Sequence, residues 1–172
     1  KIINTTGADD QDVIALAGTD DETCGQVFFF RNGKLAGREY FILQGTQDTT
    51  PPEIIASFMQ QFYDQAPHIP AEIVLAVEPE GAEALRSWLR QKRGGAVAFT
   101  IPQRGDKRRL VEMVAQNAGE VLEQQRIKWL SDSQKTALAL EEIQQALNLP
   151  SPPHRIECYD ISNIQGTSSV GA

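Results

Sequence analysis

A tight-turn signal between two β-rich runs sets the first limit on how this chain folds. A run of β-formers at 27–30 ends at Arg31-Asn32-Gly33, and a second run follows at 34–43. An Asn-Gly pair between such runs favours the turn that closes a two-residue β-hairpin. A shorter apolar run at 13–18 comes before them. Together these segments predict three antiparallel strands.

The spacing of apolar residues changes after residue 48. Thr50 is a predicted N-cap with Pro51 at the first helical position, and apolar residues then recur at helical spacing as far as Tyr63. Apolar runs at 72–77 and 97–101 predict two buried strands with a helix between them. A long helical segment follows at 105–149, with a break or bend predicted at 131–133.

The predicted order is three antiparallel strands, helix, strand, helix, strand, helix. This is the order of the RNase H-like fold, an α/β architecture with a mixed five-stranded sheet and helices on both faces. The helical crossovers predict that the last two strands run parallel to the first. Another α/β sandwich with a different strand order stays open. Prolines at 150–155 form a stiff linker between a domain at 1–149 and a short segment at 156–172.

Charge and hydropathy exclude some classes of function. The formal net charge of −7 argues against a chain that binds nucleic acid over its whole surface. No apolar run reaches the length of a membrane span, which predicts a soluble, cytoplasmic protein without a membrane partner. Cys24 and Cys158 belong to no metal-binding pair, so reduced thiols are expected.

One dense basic cluster stands at the start of the long helical segment. A helix N-terminus favours anions, and cations there add to that preference, so contact with DNA phosphates or with a partner is one interpretation. A solvated helix start, with long side chains lying over the surface, is the other. The cluster consists of Arg104, Lys107, Arg108 and Arg109.

The main domain is predicted to be catalytically silent. RNase H-type catalysis needs acids from several elements that converge on two metal ions. The predicted first strand at 13–18 has no acid inside it, and Asp12 precedes it. Glu53 and Glu78 lie near positions where further ligands could stand, but neither holds a metal pair without an acid on that strand. We therefore expect a scaffold.

A different carboxylate stands out near the end of the chain. Residues 155–166 read R-I-E-C-Y-D-I-S-N-I-Q-G, which predicts a buried strand from Ile156 with Asp160 inside it. A buried carboxylate needs compensation, and a strand-borne carboxylate suits Mg²⁺ or Mn²⁺. A carboxylate that is hydrogen-bonded within the strand is the structural alternative.

This motif resembles the start of the nuclease domain of the UvrC family, whose pattern reads approximately R-I-E-C-[FY]-D-I-S-[HN]-x-Q-G. The middle of the chain, with Pro102-x-Arg-Gly-x-Lys107 and Asn117-Ala118, resembles the segment before that domain. The resemblance implies that Asp160 is the first catalytic and metal-binding carboxylate of a nuclease dependent on Mg²⁺ or Mn²⁺. Family members often carry His where this chain has Asn163.

The same resemblance implies a parent protein that incises damaged double-stranded DNA in bacterial nucleotide excision repair, beside a UvrB-like partner. A single carboxylate cannot hold a catalytic metal. The chain, expected to be an excised piece, is therefore predicted to be inactive alone and to hold no cofactor. The rival function is a non-catalytic protein-interaction module of RNase H-like fold. A stand-alone RNase H-type nuclease is a third option, which the missing acid on the first strand disfavours.

Overall fold

The computed structural model describes residues 10–18, 22–157, 161–164 and 167–171, the last two ranges by their backbone alone. Within these residues the chain divides into two compact units, before and after residue 126. The elements are β1 (Gln11–Gly18), β2 (Glu22–Arg31), β3 (Lys34–Gln44), α1 (Pro51–Gln65), β4 (Glu72–Leu75), α2 (Ala82–Arg93), β5 (Ala98–Thr100), α3 (Asp106–Ala146), β6 (Ile161–Ile164) and β7 (Thr167–Gly171).

The first unit is built on a five-stranded sheet with the order β3-β2-β1-β4-β5. Strands β1 to β3 form an antiparallel meander. Strand β4 pairs in parallel with β1, and β5 pairs in parallel with β4. Helical crossovers of this kind join parallel strands. The mixed sheet and the RNase H-like fold class predicted from the element order are confirmed.

The turn between β2 and β3 has the geometry that its sequence predicts. Asn32 and Gly33 have φ angles of 51° and 71°, so both central residues adopt the left-handed conformation that the two-residue hairpin turn requires. The ladder shifts register between Phe29 and Phe30, which pair with Gly37 and Leu35. The residue between those partners is therefore bulged, and a bulge increases the local twist of a strand.

The sequence also identified the start of α1 correctly. Thr50 is the N-cap, and Pro51 follows at the first helical position. The Glu53 carboxylate accepts hydrogen bonds from the Thr50 backbone N–H at 2.7 Å and from the Thr50 hydroxyl at 2.6 Å. These bonds stabilise the charged form and lower the pKa of Glu53. This side chain is thus occupied in capping the helix.

Successive residues of each strand face opposite sides of the sheet, and each side has its own helical cover. Ile14, Val27 and Ile73 pack with apolar residues of α1 and α2. Val13 and Val74, on the other side, pack with the first turns of α3. The helices therefore cover both faces, as predicted. Trp88 lies against the first of these two cores, as its position in the α2 stripe indicated.

Of the break or bend predicted at 131–133, the break is wrong, because α3 runs without interruption from Asp106 to Ala146. Ser and Asp lower helix propensity only modestly, and the segment contains neither Gly nor Pro. Asp132 also makes contacts typical of a helix, since its carbonyl accepts from the Thr136 hydroxyl and its carboxylate pairs with Lys135. Within the described residues, no helix is long and apolar enough to cross a membrane.

The segment after the prolines differs from the prediction. Residues 150–157 belong to no helix or strand, and Ile156, expected to begin a buried strand, is 66% exposed. Among the residues that the structure describes after 157, β6 pairs with β7 in an antiparallel two-stranded ladder. The domain limits at 149 and 155 stay predictions.

Candidate functional site

Asp160, the predicted metal ligand, lies outside the described residues. Strand β6 begins at the next residue, Ile161, and is described by its backbone alone. The catalytic and metal-binding role of Asp160 therefore stays a prediction. Among the described residues, no three His, Cys, Asp or Glu side chains come together as a metal ion would require.

Asp12 is placed differently from the sequence prediction. It was expected to precede the first strand, but β1 begins at Gln11 and includes it. Asp12 is 1% exposed and shares a sheet face with Ile14, two residues further on. The backbone pairing extends beyond the apolar run that marked the strand in the sequence. The first strand thus does carry a buried acid. Its hydrogen-bond partners indicate whether the carboxylate has a structural role.

Both carboxylate oxygens of Asp12 are engaged. Arg31 Nη1 donates to Oδ1 at 2.8 Å, and the Tyr63 hydroxyl donates to Oδ2 at 2.8 Å. Burial nevertheless outweighs these contacts and raises the pKa of Asp12 above its usual value. The fully buried Tyr63 has its own pKa raised, first by burial and then by the neighbouring carboxylate. Asp12 is a closed structural group within the protein interior.

Glu53 and Glu78, the two other candidate ligands, do not converge on Asp12. Asp12 pairs in register with Ile73 near the start of β4, whereas Glu78 follows the far end of that strand and is exposed. Glu53 is held by the N-cap of α1. Two-metal chemistry needs carboxylates gathered at one place. Catalytic silence of the sheet stays a prediction, because the ground given for it, a first strand without an acid, is overturned by Asp12.

The basic cluster is largely neutralised by neighbouring acids. Lys107 Nζ lies 2.5 Å from Glu72 Oε1, an oxygen that also accepts from the Thr100 hydroxyl. The other ion pairs join Arg108 to Glu112 at 2.8 Å and Arg109 to Asp106 at 3.6 Å.

Arg104 is exposed and has no partner within the described part of the chain. The four cations of the cluster thus stand beside three acids: Glu72, Asp106 and Glu112. An anion reaching this surface would meet a small positive excess that is concentrated at Arg104. Contact with DNA through this cluster stays a prediction.

Arg86 and Arg93, two basic residues of α2, have structural roles. Arg86 pairs with Glu83 and lies over the Phe99 ring at 4.9 Å. Arg93 donates to the backbone carbonyls of Ile69 and Ala96 at the helix end. Contacts of this kind hold the side chains against the surface rather than presenting them to a ligand. Neither side chain is therefore a free cation.

Sequence reasoning missed the two partners of Asp12. Tyr63 lies in the apolar stripe of α1, and a buried tyrosine usually finds a hydrogen-bond partner for its hydroxyl. That requirement was a usable signal. Asp12, two residues before the buried Ile14, was a candidate acceptor for this hydroxyl. Asn117, on α3, accepts at Oδ1 from Arg38 Nη1 of β3 at 3.2 Å.

Comparison with known sequences gives two consecutive family matches. Residues 10–125 match the family described as UvrC Ribonuclease H-like domain. Residues 144–172 match the family described as UvrC RNAse H endonuclease domain. The first match covers the whole five-stranded sheet and the part of α3 that packs on it.

Several curated relatives carry the name UvrABC system protein C. The one from Clostridioides difficile (strain 630) is 46% identical over 100% of this chain, which spans 28% of that relative. Those from Alkaliphilus oremlandii and from Dehalococcoides mccartyi (strain CBDB1) are 48% and 49% identical over 95% of the chain. The chain spans 26% and 27% of these two. It thus corresponds to little more than a quarter of each relative's length.

Proposed function

Since this chain belongs to the UvrC Ribonuclease H-like domain family, we propose that it is part of a subunit of a DNA excinuclease. Residues 1–149 act as a scaffold or as a surface that contacts DNA or a partner. Residues 150–155 form a linker, and residues 156–172 begin the nuclease domain that makes the 5′ cut. The parent protein would be cytoplasmic, would act on damaged double-stranded DNA and would work with a UvrB-like partner.

The observation that carries this proposal is the pair of adjacent family matches, one of which names an endonuclease domain. The closed environment of Asp12 supports a division of labour between the two segments. The acid on the first strand is bonded to Arg31 and Tyr63. Incision would then depend on the domain that begins near Asp160.

Mg²⁺ or Mn²⁺ would serve the parent nuclease by polarising a phosphate and activating water. In this chain Asp160 is the carboxylate that would contribute to such a site, because carboxylate oxygens are the hard ligands that these ions prefer. One carboxylate does not make a two-metal centre. We therefore derive no catalytic step for the chain and propose that it is inactive alone.

A nicking assay tests this inactivity. Supercoiled plasmid is incubated with the 172-residue chain and either Mg²⁺ or Mn²⁺, and nicked circles are measured by gel electrophoresis. The expected result is nicking at the background level of an Asp160→Ala variant. Robust nicking that the variant abolishes would refute the proposal.

DNA contact by the scaffold is tested through its salt dependence. Each phosphate contact adds about 0.9 to the slope of log K against log salt concentration. Charge reversal at the uncompensated Arg104, Arg104→Glu, should weaken binding to duplex DNA and reduce this slope. Lys34→Glu serves as a matched control, because Lys34 is an exposed cation outside the basic cluster. Equal effects of the two variants would point to general electrostatics rather than to a site.

A protein-interaction module is the second candidate function. The net charge of −7 and the ion-paired state of Lys107, Arg108 and Arg109 favour it. An acidic surface repels DNA and suits a basic protein partner. Absence of duplex binding at low salt, where electrostatic attraction is strongest, would support this candidate over a DNA-facing scaffold.

A further inference from the structure

An open apolar groove lies on the α1 side of the sheet, in the first unit. Its volume is about 660 Å³, within the usual range for ligand-binding cavities. The Phe41 ring centroid lies 5.4 Å from that of Phe58 and 5.8 Å from that of Phe62, yet Phe41 is 38% exposed. The remaining apolar walls include Phe29 and Leu43. The groove therefore leaves aromatic surface open to solvent.

Strand β3, which forms one wall of this groove, is the outermost strand of the sheet. Among the described residues, no strand pairs with its outer side. Alternate residues of such a strand direct their N–H and C=O groups away from the sheet. An edge of this kind is a template for an added strand.

Residues 40–43 of β3, beside the groove, lack the features that usually protect an edge. Charged side chains and bulges block strand addition. In β3 both lie toward the hairpin, where the charges belong to Lys34, Arg38 and Glu39 and the bulge falls between Leu35 and Gly37. The following residues, 40–43, read Tyr-Phe-Ile-Leu and carry no charge. Glu39 is thus the charged residue of β3 that lines the groove, and the strand beyond it carries no charge.

The groove and the free edge are arranged so that one extended segment could use both. Glu39, Phe41 and Leu43 occupy alternate positions of β3 and all line the groove. A strand paired with residues 39–44 would project every second side chain over the same face. Apolar side chains there would cover the exposed rings, while the backbone satisfied the free edge.

The charges around the groove favour a polypeptide over a nucleic acid. Arg31, the cation in the wall, is paired with Asp12 at 2.8 Å. His68 lies 3.3 Å from Asp10, and the Glu39 carboxylate also lines the groove. These acids leave the lining close to neutral, whereas strands of nucleic acid bind in positively charged grooves.

We propose that the outer edge of β3 and the adjacent groove bind an extended polypeptide segment that joins the sheet as an additional strand. The segment carries apolar side chains at alternate positions, which fill the groove. Backbone hydrogen bonds provide affinity, and the groove selects the apolar positions.

The probe for this site is a fluorescein-labelled peptide of four Val-Thr repeats with two lysines at each end. Fluorescence anisotropy measures its binding to the full chain. Phe41→Glu introduces a charge into the groove and should weaken binding by about tenfold or more, because buried aromatic anchors dominate such interfaces. Leu35→Glu is the matched control, since Leu35 is 39% exposed on the same strand but on its other face. Its effect should stay within about twofold.

Hydrogen exchange provides a readout on the unmodified chain, so the outcome does not depend on how well a variant folds. The peptide should slow amide exchange within residues 39–44 and leave β5, at the opposite edge, unchanged. Three results would overturn the proposal. They are no binding at millimolar peptide, equal weakening by the two variants, and protection elsewhere in the sheet.

Competition with an oligothymidine of about ten nucleotides is the last experiment. The oligothymidine should not displace the labelled peptide. Displacement, together with tighter binding of the oligonucleotide than of the peptide, would identify the groove as a surface for stacking bases and overturn the proposal.

Discussion

Asp12 and the basic cluster of Arg104, Lys107, Arg108 and Arg109 are two concentrations of charge in the first unit, and they are built in opposite ways. Asp12 is 1% exposed, and two internal donors engage both its oxygens. The basic cluster stands at the surface, where three of its cations pair with acids nearby. A buried charge is committed to its internal partners, whereas a surface cation such as Arg104 can still respond to an external anion. The burial of a charged side chain, rather than its residue type, decides whether it serves the fold or can bind an external ion.

Removing the buried carboxylate should have the largest effect. Asp12→Ala leaves the Tyr63 hydroxyl without an acceptor and Arg31 without its carboxylate. We expect the free energy of unfolding to fall by roughly 3 kcal/mol. Urea denaturation measures this loss. Asp10→Ala is the control, because Asp10 is partly exposed and its removal should cost well under half as much. A loss for Asp12→Ala that matches the control would contradict the closed structural role.

The pH dependence of stability sharpens the same contrast. Burial raises the pKa of Asp12 above its usual 3.8, so the folded state binds the proton more tightly than the unfolded state. The resulting stability is present below pH 3.8 and is lost as the pH rises through the folded-state pKa.

We therefore expect the free energy of unfolding of the wild type, relative to Asp12→Asn, to decrease as the pH rises from 3 to 7. Urea denaturation of both proteins across this range measures the difference. The opposite slope would mean that the ion pair with Arg31 outweighs burial.

The ion pair between the basic cluster and the sheet should matter less. Glu72→Gln removes the attraction to Lys107, while the amide oxygen can still accept from the Thr100 hydroxyl. We expect a loss of about 0.5–1 kcal/mol in the free energy of unfolding, because Lys107 is 42% exposed. Part of this loss should disappear in 1 M NaCl, where charges are screened. A loss as large as that of Asp12→Ala would remove the distinction between the two regions.

The smallest effect is expected on the outer surface of α3. Arg108→Ala removes an ion pair with Glu112, one helical turn away. Pairs at this spacing stabilise a helix by about 0.3–0.5 kcal/mol. Thermal unfolding by circular dichroism at low and high salt measures the change. Gln116→Ala, which removes a hydrogen bond from a neutral amide to Glu120 on the same helix, is the comparison, and its effect should depend less on salt.

Much of the fold was predictable because its signals are local. The Asn32-Gly33 pair specifies the hairpin turn, and Thr50 with Pro51 specifies a helix start. The element order then limits the topology, because crossovers between parallel strands have one hand. The prediction failed at 131–133, where residues of modest helix propensity were read as a break. Propensity is a weak signal, and local helix contacts override it.

The site was less predictable because its contacts are distant in sequence. Asp12 meets Arg31, 19 residues away, and Tyr63, 51 residues away. The acids that neutralise the basic cluster come partly from β4, far from the cluster along the chain. No window of sequence contains such pairs. Only the register of the sheet and the placement of α1 and α3 on its two faces bring them together.

The sequence by itself determined the order of the elements, the turns between them and the motif around Asp160 that links the chain to its family. The tertiary structure alone decided which charges are buried, which are paired and which side of β3 stays open. The physical reason is that turns and helix caps depend on neighbouring residues, whereas burial and ion pairing depend on surfaces that exist only after the strands and helices have packed.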